Sequence, residues 1–380
     1  MDYDVSSDQI VDWDQDLRAV TERIAGPLFT RPEPRATFGD LVRGLLGDVS
    51  RKNSWQVADH VGHRSAHRLE WLLNGASWDA DALRDEVRDY VVAGLGCEDG
   101  VLIADDTQVV KKGNKSVGVA PQYCSATNHT ENCQVISMLT YASERGRAFI
   151  DRALYLPRCW IDDPARCAEA GVPADRGFAT TPQLVIDMLE RAIAARVPFR
   201  YFAAATGYGR DPGLRDWCHH HDVAYVMAVP LDLPLLDAHG RPTRPDQLLT
   251  TVSRTVWERR SCDDGRCYDW TAVAVRITKQ RPSDRFTHTL LVRRPVSMPT
   301  EVEFFLTHTP ESTPVPEMIA VAEMRWTIEE NNEQGKDLLG LDEYQVRKWT
   351  PWHRHVTCCM LAHAFLAVTH AHLGKDHLPR

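Results

Sequence analysis

The sequence predicts an α/β protein with three kinds of segment: a helical N-terminal domain, a sheet-containing core, and a β-rich insertion within that core. Three observations carry this. Apolar residues recur every three or four positions in the first hundred residues. After Gly100 the period changes to short apolar runs bounded by turn residues. A second strand-rich block then occupies roughly 222–310 before helix returns at Glu317. At 380 residues, with 43% hydrophobic and 26% charged content, the chain can bury a large core and divide into two or three domains.

Each element follows from local pattern. Phe38 to Leu46, Ser54 to Val61 and Trp78 to Leu95 carry amphipathic spacing, and the last has acidic residues in its first turn and ends near Gly94 or Gly96. Val101 to Ala104, Asn132 to Tyr141 and Arg147 to Tyr155 read as adjacent strands of one sheet. Thr181 caps a helix with Pro182 at its first position, and Leu184, Val185, Met188, Leu189 and Ala192 form its buried face. Phe199 to Ala204 follows as a strand that ends at Ala205 and turns through Gly207-Tyr208-Gly209. Strands are then expected at Val223–Val229, Thr255–Trp257, Tyr268–Val275, Thr287–Val292 and Val302–Leu306. The expected domains are 1–97, helical; 98–221, the first part of the core; 222–315, the insertion; and 316–380, the C-terminal helical part of the core.

Composition narrows the function classes. With no run of eighteen apolar residues, and an acidic start at Met1-Asp2-Tyr3-Asp4, the sequence predicts a soluble cytoplasmic protein without a membrane partner. Ten cysteines lack any CxxC pair or framework spacing and read as reduced thiols. Cys218-His219-His220-His221, with Cys262 and Cys267 further on, matches no zinc-ligand spacing. A net charge of −9 requires any nucleic-acid surface to concentrate its cations on one face. Local clusters exist at Lys111, Lys112 and Lys115, at Arg259-Arg260 and Arg293-Arg294, and at Arg347-Lys348 with His353-Arg354-His355. Each also fits an ordinary solvated surface.

Two acidic stations and one gap suggest a site. Asp105 ends an apolar strand, where a carboxylate is held rigidly at a sheet edge and can ligate a metal, while Asp106 points to the opposite face. Read locally, the same residues also fit a polar strand-to-loop boundary. Arg325, Glu329, Asn332 and Lys336 fall at i, i+4, i+7 and i+11, along one stripe of a helix. That stripe can bind a metal and a phosphate, or it can be an ion-paired surface. Between these stations, the end of the strand at position 205 carries an alanine.

Over nearly its whole length the chain resembles the IS701-type members of the IS4-related DDE transposases. The matching segments are Arg51 to Gln56, Asp105-Asp106-Thr107 with Lys111-Lys112-Gly113 and Ser116 to Val119, Gln122-Tyr123, and Glu131 to Gln134. They continue with Arg152 to Pro157, Gly177 to Thr180, Tyr208-Gly209, Arg325-Trp326 with Glu329-Glu330, Lys336, Gly340 to Asp342, and Trp352 to His355. The resemblance implies an RNase H-like mixed-sheet core with a β insertion, and a catalytic triad of Asp105, an Asp at position 205, and Glu329. It implies Mg²⁺, for which Mn²⁺ substitutes, bound by Asp105 and Glu329. Two such ions activate the attacking oxygen and stabilise the leaving one in phosphoryl transfer.

The substrates implied are double-stranded DNA at transposon terminal repeats and target DNA, cut and joined by a homodimer associated with the bacterial nucleoid. Arg325 and Lys336 match the family's DNA contacts; a Tyr expected three residues before the Arg is replaced by Ala322. Lys111, Lys112, Arg347, Lys348, His353 and Arg354 are further candidates for the DNA surface. Ala205 offers no metal ligand, so metal binding is expected to be weakened or absent and cleavage silenced. The alternative is a domesticated, sequence-specific DNA-binding regulator or targeting adaptor without nuclease activity.

Overall fold

The computed structural model describes residues 7–125, 127–251, 257–261, 266–277 and 285–376. They fall into two compact units. One is drawn from Met1–Gly96, Asp106–Thr180 and Glu329–Arg380, the other from Cys97–Asp105 and Thr181–Ile328.

Five helices open the first unit: α1 (Ser7–Leu28), α2 (Pro32–Leu46), α3 (Ser54–His60), α4 (His67–Asn74) and α5 (Ala80–Leu95). Their starts are encoded locally. Pro32 stands in the first turn of α2, the Asn53 side chain accepts from the Trp55 and Gln56 amides to cap α3, and Asp79 accepts from the Asp81 amide to cap α5. Leu83, Val87, Val91 and Leu95 line one stripe of α5 and are fully buried. Strand β1 (Val101–Val110) runs from the second unit into the first, where β2 (Ala120–Cys124), β3 (His129–Ser143) and β4 (Gly146–Leu154) join the sheet. β3 and β4 form an antiparallel hairpin, and β3 is buried from Cys133 through Ala142, as a strand covered on both faces must be. Two short helices follow, α6 (Arg158–Ile161) and α7 (Pro164–Ala170).

The second unit begins with β1 paired in parallel to β5 (Tyr201–Ala204), which follows helix α8 (Thr181–Ala194). Helices α9 (Thr206–Gly209) and α10 (Pro212–His220) lead to β6 (Tyr225–Val229), which is parallel to β5. The short strands β7 (Leu235–Leu236) and β8 (Pro242–Thr243), helix α11 (Pro245–Thr251) and strand β9 (Glu258–Ser261) come next. Strands β10 (Cys267–Ile277), β11 (Phe286–Pro295) and β12 (Glu303–Pro310) form an antiparallel meander whose last strand pairs with β6. The β-rich block therefore extends the sheet from β6, and α11 interrupts it. Thr255 and Val256 of the expected strand at 255–257 lie outside the described residues, and β9 begins just beyond them.

Helix α12 (Val315–Asp337) leaves the second unit at Ile328 and enters the first at Glu329. Helix α13 (Trp349–Asp376) closes the first unit against α2, α4, α5 and β4. Its Trp349–Leu373 stretch is long and apolar enough to cross a membrane, but 67% of the apolar window is buried within the structure. Packing against its own unit accounts for that apolarity. A mixed sheet, parallel at β1–β5–β6 and antiparallel from β12 onward, with helices at the N-terminus, is the RNase H-like arrangement the resemblance implied.

Candidate active site and cationic pocket

Strand register brings two of the three stations together. Ala104 pairs with Ala204, the last paired position, so Asp105 and Ala205 follow it on adjacent parallel strands, where neighbouring backbones run about 4.8 Å apart. β5 ends there, but β1 does not end at Asp105 as the sequence suggested and runs on to Val110, because it goes on to pair with β3. Both residues are half-exposed. Asp106 is held elsewhere: its carboxylate accepts a 2.6 Å hydrogen bond from the Ser137 hydroxyl on β3. Ala205 is the N-cap of α9, with extended backbone and no side-chain cap, and its carbonyl accepts from the Tyr208 and Gly209 amides at 3.0 Å. Gly209 lets α9 lie against β6, because a Cβ there would run into the carbonyl oxygen of Ala228. The pair therefore offers one carboxylate and one methyl group. A paired-metal centre needs a carboxylate from each strand end, and the residues present beside Asp105 do not fit one.

Glu329 is exposed on α12, where the helix joins the first unit. There Glu330 accepts a salt bridge from Arg147, the Asn331 amide donates to the Thr140 hydroxyl at 3.3 Å, and Gly335 lies close to the Phe149 ring. Lys336, half-exposed, follows on the same helix. On the second unit's part of α12, the buried Arg325 lies 4.2 Å from the centroid of the Trp326 ring, and Arg293 of β11 lies 4.0 Å from it. Such cation–π contacts fix the orientation of the guanidinium planes.

The predicted basic residues separate by burial. Lys112, Arg347 and Lys348 are exposed. Lys111 lies over the Tyr344 ring, 3.6 Å from its centroid, and donates to the Asp342 and Tyr344 carbonyls; burial pushes its ammonium down to about 8. Arg354 is buried and donates to the Leu73 and Trp78 carbonyls at 2.9 and 2.7 Å, which fastens α13 to the turn between α4 and α5. His353 is half-exposed, with Nδ1 2.9 Å from the Trp349 carbonyl. In the second unit, Arg293 pairs with Glu303, and Arg259 and Arg294 share Asp269, so those clusters are partly neutralised by their own sheet.

The exposed cations frame a cavity. Lys111 to Ser116, Tyr344, Gln345, Arg347 and Glu70 line an open pocket of 590 Å³, and the Val117 amide donates to the Arg347 carbonyl to tie its two loops together. Behind it, Gln134 donates to the Val117 carbonyl at 2.7 Å and accepts from the Tyr344 hydroxyl at 2.7 Å, and that hydroxyl accepts from the Trp352 indole at 3.0 Å. Gln134, Lys111 and Trp352 all belong to segments the sequence singled out. Their connection through Tyr344, which no segment contained, emerges only in the fold.

An RNase H-like sheet with an acidic residue just past the parallel pairing of its first core strand defines a class of polynucleotide-processing fold. Residues 26–289 match the family described as DDE superfamily endonuclease, and the chain belongs to that family. The resemblance read from the sequence is borne out by a relative, the probable transposase for insertion sequence element IS701 of Microchaete diplosiphon. It is 24% identical over 169 residues, a match that covers 44% of this chain and 41% of the relative's length. The solved NurA nuclease from Sulfolobus solfataricus aligns over 79% of this chain and 94% of its own at 10% identity, with a TM-score of 0.27, a likeness too slight to carry an argument.

Proposed function

We propose that this chain is an insertion-sequence transposase of the cut-and-paste type that binds double-stranded DNA and whose cleavage is silenced at position 205. One observation carries the silencing: Ala104–Ala204 register sets a methyl group at the strand end beside Asp105. In this reading Asp105 and Glu329 are the surviving carboxylates of the triad, matched to Mg²⁺ or Mn²⁺, and Ala205 stands at the missing one. Arg325 and Lys336 on α12 meet phosphates near the scissile bond. Lys112, Arg347 and Lys348 grip the duplex at the cationic pocket, and Lys111 holds that pocket's wall through Tyr344. His353 faces a separate cavity with Arg176 and Trp349, and Arg354 fastens α13 to the Leu73 and Trp78 carbonyls. The working form is a homodimer that brings two transposon ends together. The same DNA-binding surface also serves the second reading, a regulator or targeting adaptor that no longer cuts.

Binding of a labelled duplex carrying the element's own end tests this, read across a salt series. Each side-chain cation removed from a phosphate lowers the slope of log K against log salt by roughly 0.9. Replacing Lys112 and Arg347 together by alanine is expected to weaken binding and flatten that slope by roughly 1.8. An unchanged slope removes the pocket from the DNA surface. No duplex binding at any salt overturns the proposal as a whole.

Lys111→Met is expected to behave differently. Burying a methionine against Tyr344 strands the Asp342 and Tyr344 carbonyls, so stability should fall by about 1–3 kcal/mol. Chemical denaturation measures that loss, which should exceed the effect of the double variant at Lys112 and Arg347.

A further inference from the structure

Three histidines, far apart in the chain, meet in the second unit. His219 lies in the last turn of helix α10, and His288 and His308 face each other across β11 and β12 as direct register partners. Their ligand-capable nitrogens all lie within 4.8 Å of one another, and no other group of three His, Cys, Asp or Glu side chains meets that criterion among the described residues. His219 Nε2 and His288 Nε2 are 3.3 Å apart. Two imidazoles bound tetrahedrally to zinc at about 2.05 Å hold their nitrogens roughly 3.3 Å apart. His308 is 2% exposed, and its Nδ1 is buried with no hydrogen-bond partner among the described residues. A buried polar nitrogen left so is costly unless something else occupies it.

We propose that His219, His288 and His308 form a binding site for a divalent transition ion of the zinc type. An all-imidazole set of three suits zinc and leaves one tetrahedral position for water. The site is distinct from the transposase centre. His308 pairs with Tyr225, the first residue of β6, whereas Asp105 and Ala205 follow the opposite, C-terminal end of the parallel β1–β5 pairing.

The environment supplies the protonation state that metal binding requires. Burial lowers the His219 imidazole to about 4, and burial together with the neighbouring histidines lowers His288 to about 3 and His308 to about 2. All three are neutral at neutral pH, so no proton must leave for an ion to enter. Tyr225, whose hydroxyl is 3.4 Å from His219 Nε2, and Phe286, stacked on His308 at 4.4 Å, wall the cluster. The rings of His219 and His308 are themselves stacked at 3.8 Å and 14°. Their in-plane lone pairs then run nearly parallel, so taking up the ion turns one ring out of the stack. His219, half-exposed at the helix end, is placed to do so. The ion would pin α10 to the β11–β12 pair.

Metal content of the full-length, untagged chain tests the site, after EDTA treatment and dialysis and then titration with ZnCl₂. The expected result is one zinc per chain and, with Co²⁺ in its place, the visible absorption of a tetrahedral nitrogen-ligated ion. His219→Gln and His288→Gln should each weaken zinc binding by more than the roughly 10–100-fold that losing an outer-sphere partner costs. His220→Gln/His221→Gln, which alters the adjacent exposed histidines, should leave binding unchanged. Circular dichroism in EDTA checks that the variants are folded. Failure of the wild-type chain to bind zinc stoichiometrically overturns the proposal, as does undiminished binding by folded His219→Gln and His288→Gln proteins.

Discussion

Ala205→Asp is expected to raise Mg²⁺- or Mn²⁺-dependent cleavage of an element-end fragment by roughly 10³-fold or more. A metal ion stabilises a phosphoryl-transfer transition state by several kcal/mol, and each ~1.4 kcal/mol is a factor of ten. The substitution adds a carboxylate at the end of β5 beside Asp105, without disturbing the buried residues of that strand. Two consequences for stability separate metal binding from simple repair. An aspartate at the N-cap of α9 can accept a backbone amide that Ala205 leaves uncapped, a gain of about 1 kcal/mol. Two carboxylates just past the last paired position of adjacent strands also repel each other until a cation lies between them. The Asp form should therefore melt higher in Mg²⁺ than in EDTA, while the Ala form shows no such difference. Gel analysis of the labelled fragment and melting curves with and without Mg²⁺ measure both effects. Cleavage by neither protein, with binding retained by both, would establish the regulator or adaptor reading.

What the sequence made legible depended on how local the physics was. Helix α5 could be read because Leu83, Val87, Val91 and Leu95 repeat at the helical period, whereas the adjacency of Asp105 and Ala205 was implied only by the resemblance, because a short apolar run does not say which strand it pairs with. Pairing set by strand register was hidden. Arg293-Arg294 looks basic in sequence, but register places Arg293 against Glu303 and Arg294 against Asp269, which Arg259 shares, so part of the charge is offset within the sheet. The histidine cluster was hidden for the same reason: the Cys218-to-His221 run suggested cysteine partners at 262 and 267, whereas His219 meets a histidine 69 residues away. Cys262 lies outside the described residues, and Cys267 is exposed at the start of β10. Motif residues such as Lys111 and Arg354 carried a further ambiguity. A cation in a matched segment can face phosphate or hold backbone carbonyls, and for Lys111 and Arg354 only their hydrogen bonds in the fold separate the two.

The same ambiguity gives the largest expected loss of stability. Arg152 begins a segment that matched the transposases, yet its side chain is only 2% exposed. Its guanidinium donates to the Thr357 hydroxyl at 2.9 Å, to the Asp81 carboxylate at 2.8 Å and to the Ala80 carbonyl at 3.2 Å, so one side chain joins β4 to α13 and to the first turn of α5. Asp151, also buried, lies 3.9 Å from it. Arg152→Met keeps much of the volume but removes every donor, leaving the Ala80 carbonyl and the Thr357 hydroxyl without this partner, while the Asp81 carboxylate, 60% exposed, and the buried Asp151 retain Arg84 nearby. A loss of about 3 kcal/mol or more is expected, because three hydrogen bonds made by one buried charged group go at once and each is worth about 1.5–3 kcal/mol. Arg152→Lys should recover only part of it, since an ammonium cannot reproduce the planar fork that meets three acceptors on different elements. The effect should also depend on pH. Burial works to raise the Asp81 carboxyl, but Arg152 and Arg84 outweigh it and hold the group below its ordinary value of 3.8. A depressed carboxyl stabilises the fold fully above its unfolded value and loses that contribution as pH falls through the folded one. The gap between wild type and Arg152→Met in denaturant unfolding should therefore be widest near neutrality and narrow below about pH 4. A gap unchanged down to pH 2 would show that Arg152 acts through packing and its neutral acceptors alone.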